Sequence, residues 1–409
     1  MKKLLISCIV FVSFITVFSQ ENVDVVDTIN RQTAIYKQKQ HLNSRGNLNN
    51  TRLIFEKEKV GRVAFLGGSI TAMKGWHNQV MVYLTNRFPD TKFDFIEAGI
   101  GSTGSTPGSF RMKKDVFKNG KVDLLFVEAA VNDDTNGFDS IAQIRGMEGE
   151  VRQALIYNPN MDIVMQHFIY DRFIPVLNAG KQPDVILNHE KVAEYYQIPS
   201  INQAQEIAER MKAGEFDWKQ FGGTHPLPFG QRFYAATMEV LLDKMWSVPN
   251  PKTKLEPHII STKPLDNFSY FNGTLVDPRE AKIKTGWLYE NPWTPKEPAG
   301  VRFKNVGMLE ALTPESELSF KFEGTAIGIY SVCGPNAGIV EYSIDGGDFK
   351  KLDLFTKWSK GLYIPWLHIF AGDLKNKKHT LIMKMSEDKN KDSKNTACQI
   401  YYFAVNGTK

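Results

Sequence analysis

Residues 62–69 read RVAFLGGS, and their pattern indicates the fold class of the first domain. A short apolar run comes first, and the two glycines after it allow a tight turn, a pattern typical of a buried strand that stops abruptly. Helical spacing of apolar residues follows over residues 76–88. A buried strand, a tight turn and a helix in this order form the repeating unit of a parallel sheet.

The same alternation continues to residue 246 and predicts a parallel sheet with helices on both faces. Residues 99–109 interrupt it with a stretch rich in glycine and serine, which we predict to be a loop. The further predicted strands are residues 92–96, 122–127, 161–166 and 198–201. The further predicted helices are residues 140–157, 183–196, 203–213 and 228–246.

A proline-rich passage at residues 248–264 ends the alternation of strand and helix patterns. It is predicted to link two domains. Short alternating runs without helical periodicity follow it, and they indicate strands and hairpins. We therefore predict an α/β domain at residues 61–247 and a β-sandwich of jelly-roll type at residues 265–409. The predicted strands of this sandwich are residues 317–322, 326–332, 339–344, 379–385 and 399–405.

The first residues of the chain indicate export. Residues 1–20 combine a basic start, an apolar run and small or polar residues, which is the order of a secretory signal peptide. We expect a periplasmic or secreted protein without a membrane anchor, in which residues 21–60 form a polar lead-in. After cleavage only Cys333 and Cys398 remain, and the sequence leaves open whether they pair.

Composition excludes several classes of function. The 409 residues are 42% hydrophobic and 23% charged, a normal composition for soluble globular domains. The net charge of +5 is spread along the chain, without the clustered basic and aromatic residues of a nucleic-acid-binding surface. No phosphate-binding loop follows the first strand, and we expect neither a metal nor a cofactor.

The residues suited to chemistry follow the ends of predicted strands, at residues 67–71, 99–105 and 132–134. Parallel strands bring their carboxyl ends to one edge of the sheet, so these loops are expected to converge. Ser69 is the candidate nucleophile, and a serine needs an adjacent base. His225 is the candidate base because it precedes the last helix, where the chain returns to this edge, and its ordinary pKa suits the role.

Asn132 is the third candidate. An asparagine amide aimed into the site can donate to an oxyanion, as can backbone N–H groups in residues 99–104. The alternative is that Asn132 and Asp133 form a helix cap or an Asx turn.

Together these residues resemble the SGNH (GDSL-like) hydrolase family over residues 62–246. Ser69 lies in GGSIT, which is similar to the first block of the family, with glycine at position 68 where the family usually has aspartate. Residues 99–104 are similar to the second block, Asn132 with Asp133 to the third, and His225-Pro226 to the fourth. The resemblance implies a flavodoxin-like fold and a serine esterase.

The resemblance also assigns an oxyanion hole. It implies that the N–H of Ser69, the N–H of Gly101 or Ser102, and the Asn132 amide hold the oxyanion. The family's acid, three residues before the histidine, is Gly222 here.

The group that orients His225 is therefore open. We rank a backbone carbonyl first and Asp217 second, and the acids at the neighbouring strand end, Glu128, Asp133 and Asp134, are further alternatives.

An SGNH domain beside a sandwich resembles exported carbohydrate esterases, which implies an O-acylated carbohydrate, with acetate as the acyl group. Trp76, His77 and Asp133 are candidate substrate contacts in the catalytic domain, and packing of a helix face is an equal alternative for Trp76. A lipase or thioesterase of the same fold, and a glycan-binding protein without activity, are the alternatives. Aromatic candidates for stacking on sugars, which pack more often inside a sandwich, are Trp287, Trp293, Trp358, Tyr363 and Trp366.

Overall fold

The structure is a computed structural model that describes residues 41–247, 253–301, 303 and 305–407. The predicted signal peptide, residues 1–20, lies outside the described residues, as does the first part of the predicted linker, residues 248–252. Within the described ranges, no helix is both long enough and apolar enough to cross a membrane.

The first part of the chain forms a six-stranded sheet in the order β1-β6-β5-β4-β2-β3. Strands β2 to β6 pair in parallel, and only the short β1 of the lead-in is antiparallel to its neighbour. Among the parallel strands this is the flavodoxin-like order, as predicted. The strands are β1 Leu42–Asn43, β2 Val60–Gly67, β3 Lys92–Gly99, β4 Leu124–Val127, β5 Asp162–Gln166 and β6 Ser200–Ile201.

Helices cover both faces of the sheet because its strands are apolar on both sides. In β2, Val63 and Phe65 point into one buried cluster, whereas Ala64 and Leu66 point into another. The helices are α1 Asn49–Leu53, α2 Ser69–Ala72, α3 Trp76–Arg87, α4 Ser105–Arg111, α5 Ala130–Thr135, α6 Ser140–Tyr157, α7 Phe173–Asn178, α8 Asp184–Tyr195, α9 Gln203–Lys212, α10 Trp218–Phe221 and α11 Pro228–Trp246. Single π-helical turns follow α1 and α4, at Ile54–Glu58 and Met112–Val116.

One prediction in this domain is wrong. Residues 99–109 were expected to form a loop, but α4 begins at Ser105 and runs to Arg111. Its residues are all buried, so packing stabilises a helix that glycine and serine disfavour by propensity. Phe110 of α4 packs on Tyr270, with ring centroids 5.1 Å apart, and on the second domain.

The second part of the chain is all-β, as predicted, with a seven-stranded and a five-stranded sheet. Pairing is antiparallel except between β10 and β16. The sheets pack face to face, with the rings of Phe320 and Phe403 stacked at 4.0 Å. The strands are β7 Gly273–Val276, β8 Lys282–Thr285, β9 Trp287–Glu290, β10 Gly300–Val301, β11 Met308–Ala311, β12 Glu317–Gly324, β13 Ala326–Cys333, β14 Ile339–Ile344, β15 Lys350–Asp353, β16 Leu362–Ala371, β17 Lys377–Met385 and β18 Cys398–Asn406.

The two cysteines in the described residues are free and buried in the sandwich. Burial raises the pKa of the Cys333 thiol to about 12, so this thiol is an apolar core group at neutral pH.

Candidate active site

The site forms where the strand order reverses. β2 lies between β3 and β4, and the register aligns Gly67 with Gly99 and Leu66 with Val127, so the three strands end side by side. At such a switch point, the connections that follow two neighbouring strands run to opposite faces of the sheet, and a crevice opens between them. The loops that carry Ser69, Gly101 and Asn132 begin here, as predicted from the sequence.

Gly67 is the last residue of β2, Gly68 caps the next helix, and Ser69 is the first residue of that helix, α2. Both glycines are required by close approach of other groups. A Cβ on Gly67 would lie 2.1 Å from Glu128 Oε1, and a Cβ on Gly68 would lie 1.9 Å from Asn132 Oδ1. An aspartate at position 68 would displace the Asn132 side chain from its place beside Ser69, and the chain has glycine there.

His225 is brought to Ser69 from the far end of the domain. It lies in the loop between α10 and α11, and its Nε2 is 2.7 Å from Ser69 Oγ although 156 residues separate the two. In this geometry the hydroxyl can donate its proton to a neutral imidazole, the arrangement that activates a serine nucleophile. Ser69 is half-buried and His225 is exposed, so the pair faces solvent.

The loop after β3 forms a tight turn beside the nucleophile. Thr103 N–H donates to the Ile100 carbonyl at 3.2 Å, and Ser102 adopts the left-handed conformation with φ of 70°. Ile100 N–H donates to the Gly67 carbonyl at 3.0 Å, which fixes the turn against the end of β2. We call residues 100–103 the oxyanion turn, because Gly101 and Ser102 are its central residues.

Asn132 lies in the first turns of α5, after β4, and is half-buried. Its amide oxygen is in contact with Gly68, so its side chain reaches the turn that carries Ser69. The structure thus brings Ser69, the oxyanion turn, Asn132 and His225 to one edge of the sheet. Oxyanion binding by these groups stays a prediction.

The position of the family's acid has a backbone that an aspartate would strain. Gly222 ends α10 with a left-handed φ of 102°, and a Cβ there would lie 2.1 Å from Leu227 N. Asp217 caps the start of the same short helix. Its Oδ1 accepts from Gln220 N–H at 2.7 Å, and Gln220 Oε1 accepts from Asp217 N–H at 2.8 Å. A second role for Asp217 as the acid stays a prediction.

Three predicted substrate contacts lie beneath the site instead of facing it. Trp76 and Asp133 are 0% exposed and His77 is 1% exposed. The Trp76 ring packs edge-on against Phe65 in the core, and His77 Nε2 lies 2.8 Å from Glu97 Oε2. For Trp76 this is the alternative that the sequence left open, packing of a helix face.

Asp133 ties the loop after β3 to helix α8. Its Oδ1 accepts from Ser105 N–H at 2.8 Å, and its Oδ2 accepts from Ser105 Oγ at 2.5 Å and from His189 Nε2 at 2.9 Å. All these groups are buried. Asp133 therefore supports the site through Ser105, and neither Ser105 nor His189 carries a sequence signal that would have revealed this role.

From the sequence, Glu128 was expected only as an alternative acid for His225. The structure gives it a different place, against the backbone that precedes Ser69. It directly follows β4, and its Oε1 accepts from Gly68 N–H at 2.6 Å and from Thr71 Oγ1 at 2.7 Å. Burial raises its pKa to about 7, the Asp133 carboxylate adds to this, and the two hydrogen bonds and Arg111 oppose it. An acid immediately after a fully apolar strand was the signal that could have found it.

The second domain also reaches this edge. Lys357 Nζ donates to the carbonyl of Thr135, the last residue of the helix that carries Asn132, at 3.0 Å. The neighbouring Trp358 is 49% exposed. The other aromatic candidates pack in the sandwich, as the alternative interpretation held: Trp287, Trp293 and Tyr363 are buried, and Trp366 packs against the core.

Among the described residues, no group of three or more His, Cys, Asp or Glu side chains is arranged to hold a metal ion. A cleft of about 600 Å³ adjoins the His225 loop and is lined by Asp217, Trp218, Lys219, Gly222, Gly223 and Leu227.

No family model matches the sequence, and no curated protein matches it. Solved structures do share its fold. A two-domain esterase described as active on acetylated mannans, crystallised with mannopentaose, has a TM-score of 0.72 at 20% identity and covers 90% of this chain and 97% of its own. A second structure with the same description, without the sugar, also has a TM-score of 0.72 and 20% identity and covers 90% of this chain and 98% of its own.

An acetyl xylan esterase from Geobacillus stearothermophilus covers 45% of this chain and 96% of its own, with a TM-score of 0.37 and 16% identity. At these identities the two structures with a TM-score of 0.72 establish the fold, an α/β domain followed by an all-β domain.

Proposed function

We propose that this protein is a serine esterase that removes O-acyl groups, in particular O-acetyl groups, from a carbohydrate. The observation that carries the proposal is the 2.7 Å separation of His225 Nε2 and Ser69 Oγ at the carboxyl edge of the sheet. A nucleophile and a base in hydrogen-bond contact, beside a turn of backbone N–H groups, form the minimal apparatus for acyl transfer.

The reaction proceeds through an acyl-enzyme. His225 accepts the proton of Ser69 Oγ as the oxygen attacks the ester carbonyl, and the carbonyl electrons move onto its oxygen. When the tetrahedral intermediate collapses, His225 donates this proton to the sugar oxygen that leaves. Water, deprotonated by His225, then attacks the acyl group, and Ser69 recovers its proton as the carboxylic acid departs.

The oxyanion is placed against three donors in this proposal. They are the N–H of Ser69, the N–H of Gly101 or Ser102 in the oxyanion turn, and the side-chain amide of Asn132. The contact of Asn132 with Gly68 and the hydrogen bond from Ile100 N–H to the Gly67 carbonyl support this arrangement. Donors fixed before the reaction need no reorganisation as charge develops.

We propose that a backbone carbonyl orients His225, with Asp217 as the second candidate. The capping bonds of Asp217 and the φ of 102° at Gly222, which would strain an aspartate, support a backbone carbonyl as the group that orients His225. A backbone carbonyl fixes the imidazole tautomer, which is one of the two functions of an acid in a triad.

The carbohydrate part of the proposal rests on the second domain. Lys357 Nζ donates to the carbonyl at the end of helix α5 and lies 5.1 Å from the centre of the exposed Trp358 ring, so this indole is near the helix that carries Asn132. Aromatic faces of this kind bind the apolar faces of sugar rings. The two-domain esterases of the same fold are described as active on acetylated mannans, which makes acetylated mannan the first substrate to test. We also propose export after cleavage of residues 1–20.

The test is turnover of a p-nitrophenyl ester series and of acetylated mannan and xylan, with Ser69→Ala as the decisive variant. We expect activity on acetate that falls by at least about 10³-fold in Ser69→Ala, because the nucleophile is lost while binding persists. A preference for long acyl chains would indicate the lipase or thioesterase. Glycan binding without turnover would indicate the inactive binding protein, and unchanged activity in Ser69→Ala would exclude the proposal.

A further inference from the structure

The peptide group between Gly67 and Gly68, one residue before Ser69, is hydrogen-bonded at both ends to buried ionisable side chains. Its carbonyl, on Gly67, accepts from Arg111 Nη2 at 3.2 Å, in addition to the bond from the oxyanion turn. Its N–H, on Gly68, donates to Glu128 Oε1 at 2.6 Å. Arg111 is 1% exposed and Glu128 is 2% exposed. A rotation of this peptide would break bonds on both sides at once.

Glu128 also holds the chain on the far side of the nucleophile. The oxygen that accepts from Gly68 N–H accepts from Thr71 Oγ1 at 2.7 Å as well. One carboxylate oxygen therefore fixes the residue before Ser69 and a residue two positions after it. The position of Ser69 Oγ follows from these two anchors and the short helix that begins at Ser69.

Arg111 connects the nucleophile to the oxyanion turn. The same Nη2 that donates to the Gly67 carbonyl also contacts Thr103 Oγ1 at 3.2 Å, and Thr103 closes that turn. Nη1 of Arg111 is held by Asp115 at 2.8 Å, one helical turn further along the chain. The guanidinium is thus fixed on one side and spans the two loops on the other, as its planar fork of donors allows.

Burying these charges is unfavourable for the fold. A carboxylate and a guanidinium lose hydration in the interior, and hydrophobic residues of similar volume often stabilise a protein as well or better. The raised pKa of Glu128 reports this desolvation. Groups that are costly to bury and that contact the nucleophile's backbone are typical of a site in which geometry matters more than stability.

We propose that Glu128 and Arg111 are positioning residues that fix Ser69 Oγ relative to the oxyanion turn. The inference rests on the proposed function, because it assigns these residues to the reaction of Ser69 and His225. Neither residue is a catalytic residue in this proposal, since each acts through the backbone of Gly67 and Gly68 and through the side chains of Thr71 and Thr103.

The chain contains a matched control for a purely structural role. Glu206 is also buried, at 4% exposed, burial raises its pKa to about 7, and it is bonded at 2.9 Å to the buried Arg210. It lies on α9, the helix that follows β6. Two strands, β5 and β4, separate β6 from β2, which leads to Ser69. Glu206→Met should destabilise the fold as Glu128→Met does, without displacing the nucleophile.

The experiment compares Glu128→Met, Glu128→Gln, Arg111→Met and Glu206→Met in the full chain, with kcat and KM for p-nitrophenyl acetate and the melting temperature of each. Glutamine keeps an oxygen that can accept from Gly68 N–H. Methionine fills a similar volume but cannot accept this hydrogen bond. We expect Glu128→Met and Arg111→Met to lower kcat on the order of 10²-fold, as for a misplacement of about 1 Å. KM should change less than about threefold, and Glu128→Gln and Glu206→Met should keep kcat within about threefold of the wild type.

A folded Glu128→Met or Arg111→Met variant with the kcat of the wild type would overturn the proposal. So would a loss of kcat in Glu206→Met that equals the loss in Glu128→Met. If Glu128→Met does not fold, Thr71→Val replaces it as the milder variant, because it removes one of the two anchors. It should lower kcat by about tenfold with KM unchanged, and a wild-type kcat would overturn the proposal.

Labelling of Ser69 by a fluorophosphonate separates this inference from the proposed function. The rate of labelling reports the reactivity of Ser69 Oγ without any choice of substrate. A wild-type chain that neither turns over esters nor is labelled at Ser69 would show that the proposed function is wrong. A wild-type chain that is labelled at Ser69, together with a folded Glu128→Met variant labelled at the same rate, would show that the positioning role alone is wrong.

Discussion

The carboxyl edge of the parallel sheet and the core of the C-terminal sandwich differ in what they bury. Beneath the edge lie three acids and an arginine, Glu128, Asp133, Glu150 and Arg111, each no more than 2% exposed. The sandwich core between the two sheets is built from apolar side chains, among them the stacked pair Phe320 and Phe403. Both regions are well packed, so the difference lies in the type of interaction.

The difference shows what each region is built to do. Apolar packing stabilises without fixing the direction of any one group, whereas a buried hydrogen bond to a charged group fixes a donor and an acceptor in place. At the edge, Glu128 accepts from Gly68 N–H and Arg111 donates to the Gly67 carbonyl, so buried charged groups fix the backbone that leads to Ser69. The sandwich therefore contributes stability and a surface, and the edge contributes geometry.

The largest predicted effects are losses in the free energy of unfolding in two variants, Asp133→Ala at the edge and Phe320→Ala in the sandwich core. Removing Asp133 leaves Ser105 and His189 with unmatched buried donors, and we expect a loss of about 3–5 kcal/mol in the free energy of unfolding. Removing Phe320 should cost a similar amount, about 3–5 kcal/mol, through the cavity left behind. Urea unfolding and kcat for p-nitrophenyl acetate are to be measured on both variants.

Only Asp133→Ala should also lower kcat, because Ser105 directly follows the loop of the oxyanion turn. Equal values of kcat in the two variants, while both remain folded, would contradict the contrast between the two regions.

The next prediction concerns pH. Since burial raises the pKa of Glu128 from 4.5 to about 7, the folded protein keeps a proton on it that the unfolded chain has already released. The contribution of this group to the free energy of unfolding is therefore greatest below pH 4.5 and falls as pH rises through 7, by about 3 kcal/mol. Glu128→Gln removes this dependence.

The difference in the free energy of unfolding between Glu128→Gln and the wild type should shift in favour of the variant by about 3 kcal/mol from pH 5 to pH 8. Urea unfolding at the two pH values measures it. Titrating groups remote from Glu128 cancel in the difference, whereas the buried Asp133 and Glu150 carboxyls interact with Glu128. A difference that does not change with pH would show that Glu128 is not desolvated as the structure indicates.

A smaller effect is expected on placing an acid three residues before His225. Gly222→Asp places a side chain at a φ of 102°, against Leu227 N, so it should cost about 2 kcal/mol of stability and should not raise kcat/KM. The matched control is Gly223→Asp, which has a φ of 75° but open space around its Cβ. Gly223→Asp should cost less stability than Gly222→Asp. A gain in kcat/KM for Gly222→Asp would contradict the proposal that a backbone carbonyl orients His225.

The smallest effect concerns the surface that the sandwich contributes. Trp358→Ala should raise KM for acetylated mannan by about fivefold, corresponding to a loss of about 1 kcal/mol, because an exposed ring is removed without leaving a cavity. Kinetics with p-nitrophenyl acetate should not change, and Trp358→Phe should retain most of the affinity for the polymer. A Trp358→Ala variant with unchanged KM for the polymer would remove Trp358 from the substrate surface.

The elements that could be predicted are those with strong periodicity. The helix of residues 140–157 and the strand of residues 339–344 were predicted with the bounds that the structure has. The ten-residue strand Leu362–Ala371 was missed because a proline interrupts it and its apolar residues do not alternate strictly. Helix α4 was missed because its stability comes from burial against helix α6 and the second domain, which propensity does not report.

The sequence by itself determined the α/β domain followed by an all-β domain, and it predicted that Ser69, Asn132 and His225 would lie at one edge. Strand ends and glycine turns are local features, and parallel strands align their carboxyl ends whatever the rest of the chain does. Only the tertiary structure decided that Trp76, His77 and Asp133 lie beneath the site and that Glu128 and Arg111 hold the Gly67–Gly68 peptide from both ends. Burial and hydrogen bonding depend on residues far apart in the chain, and no local pattern of residue types specifies which of them meet.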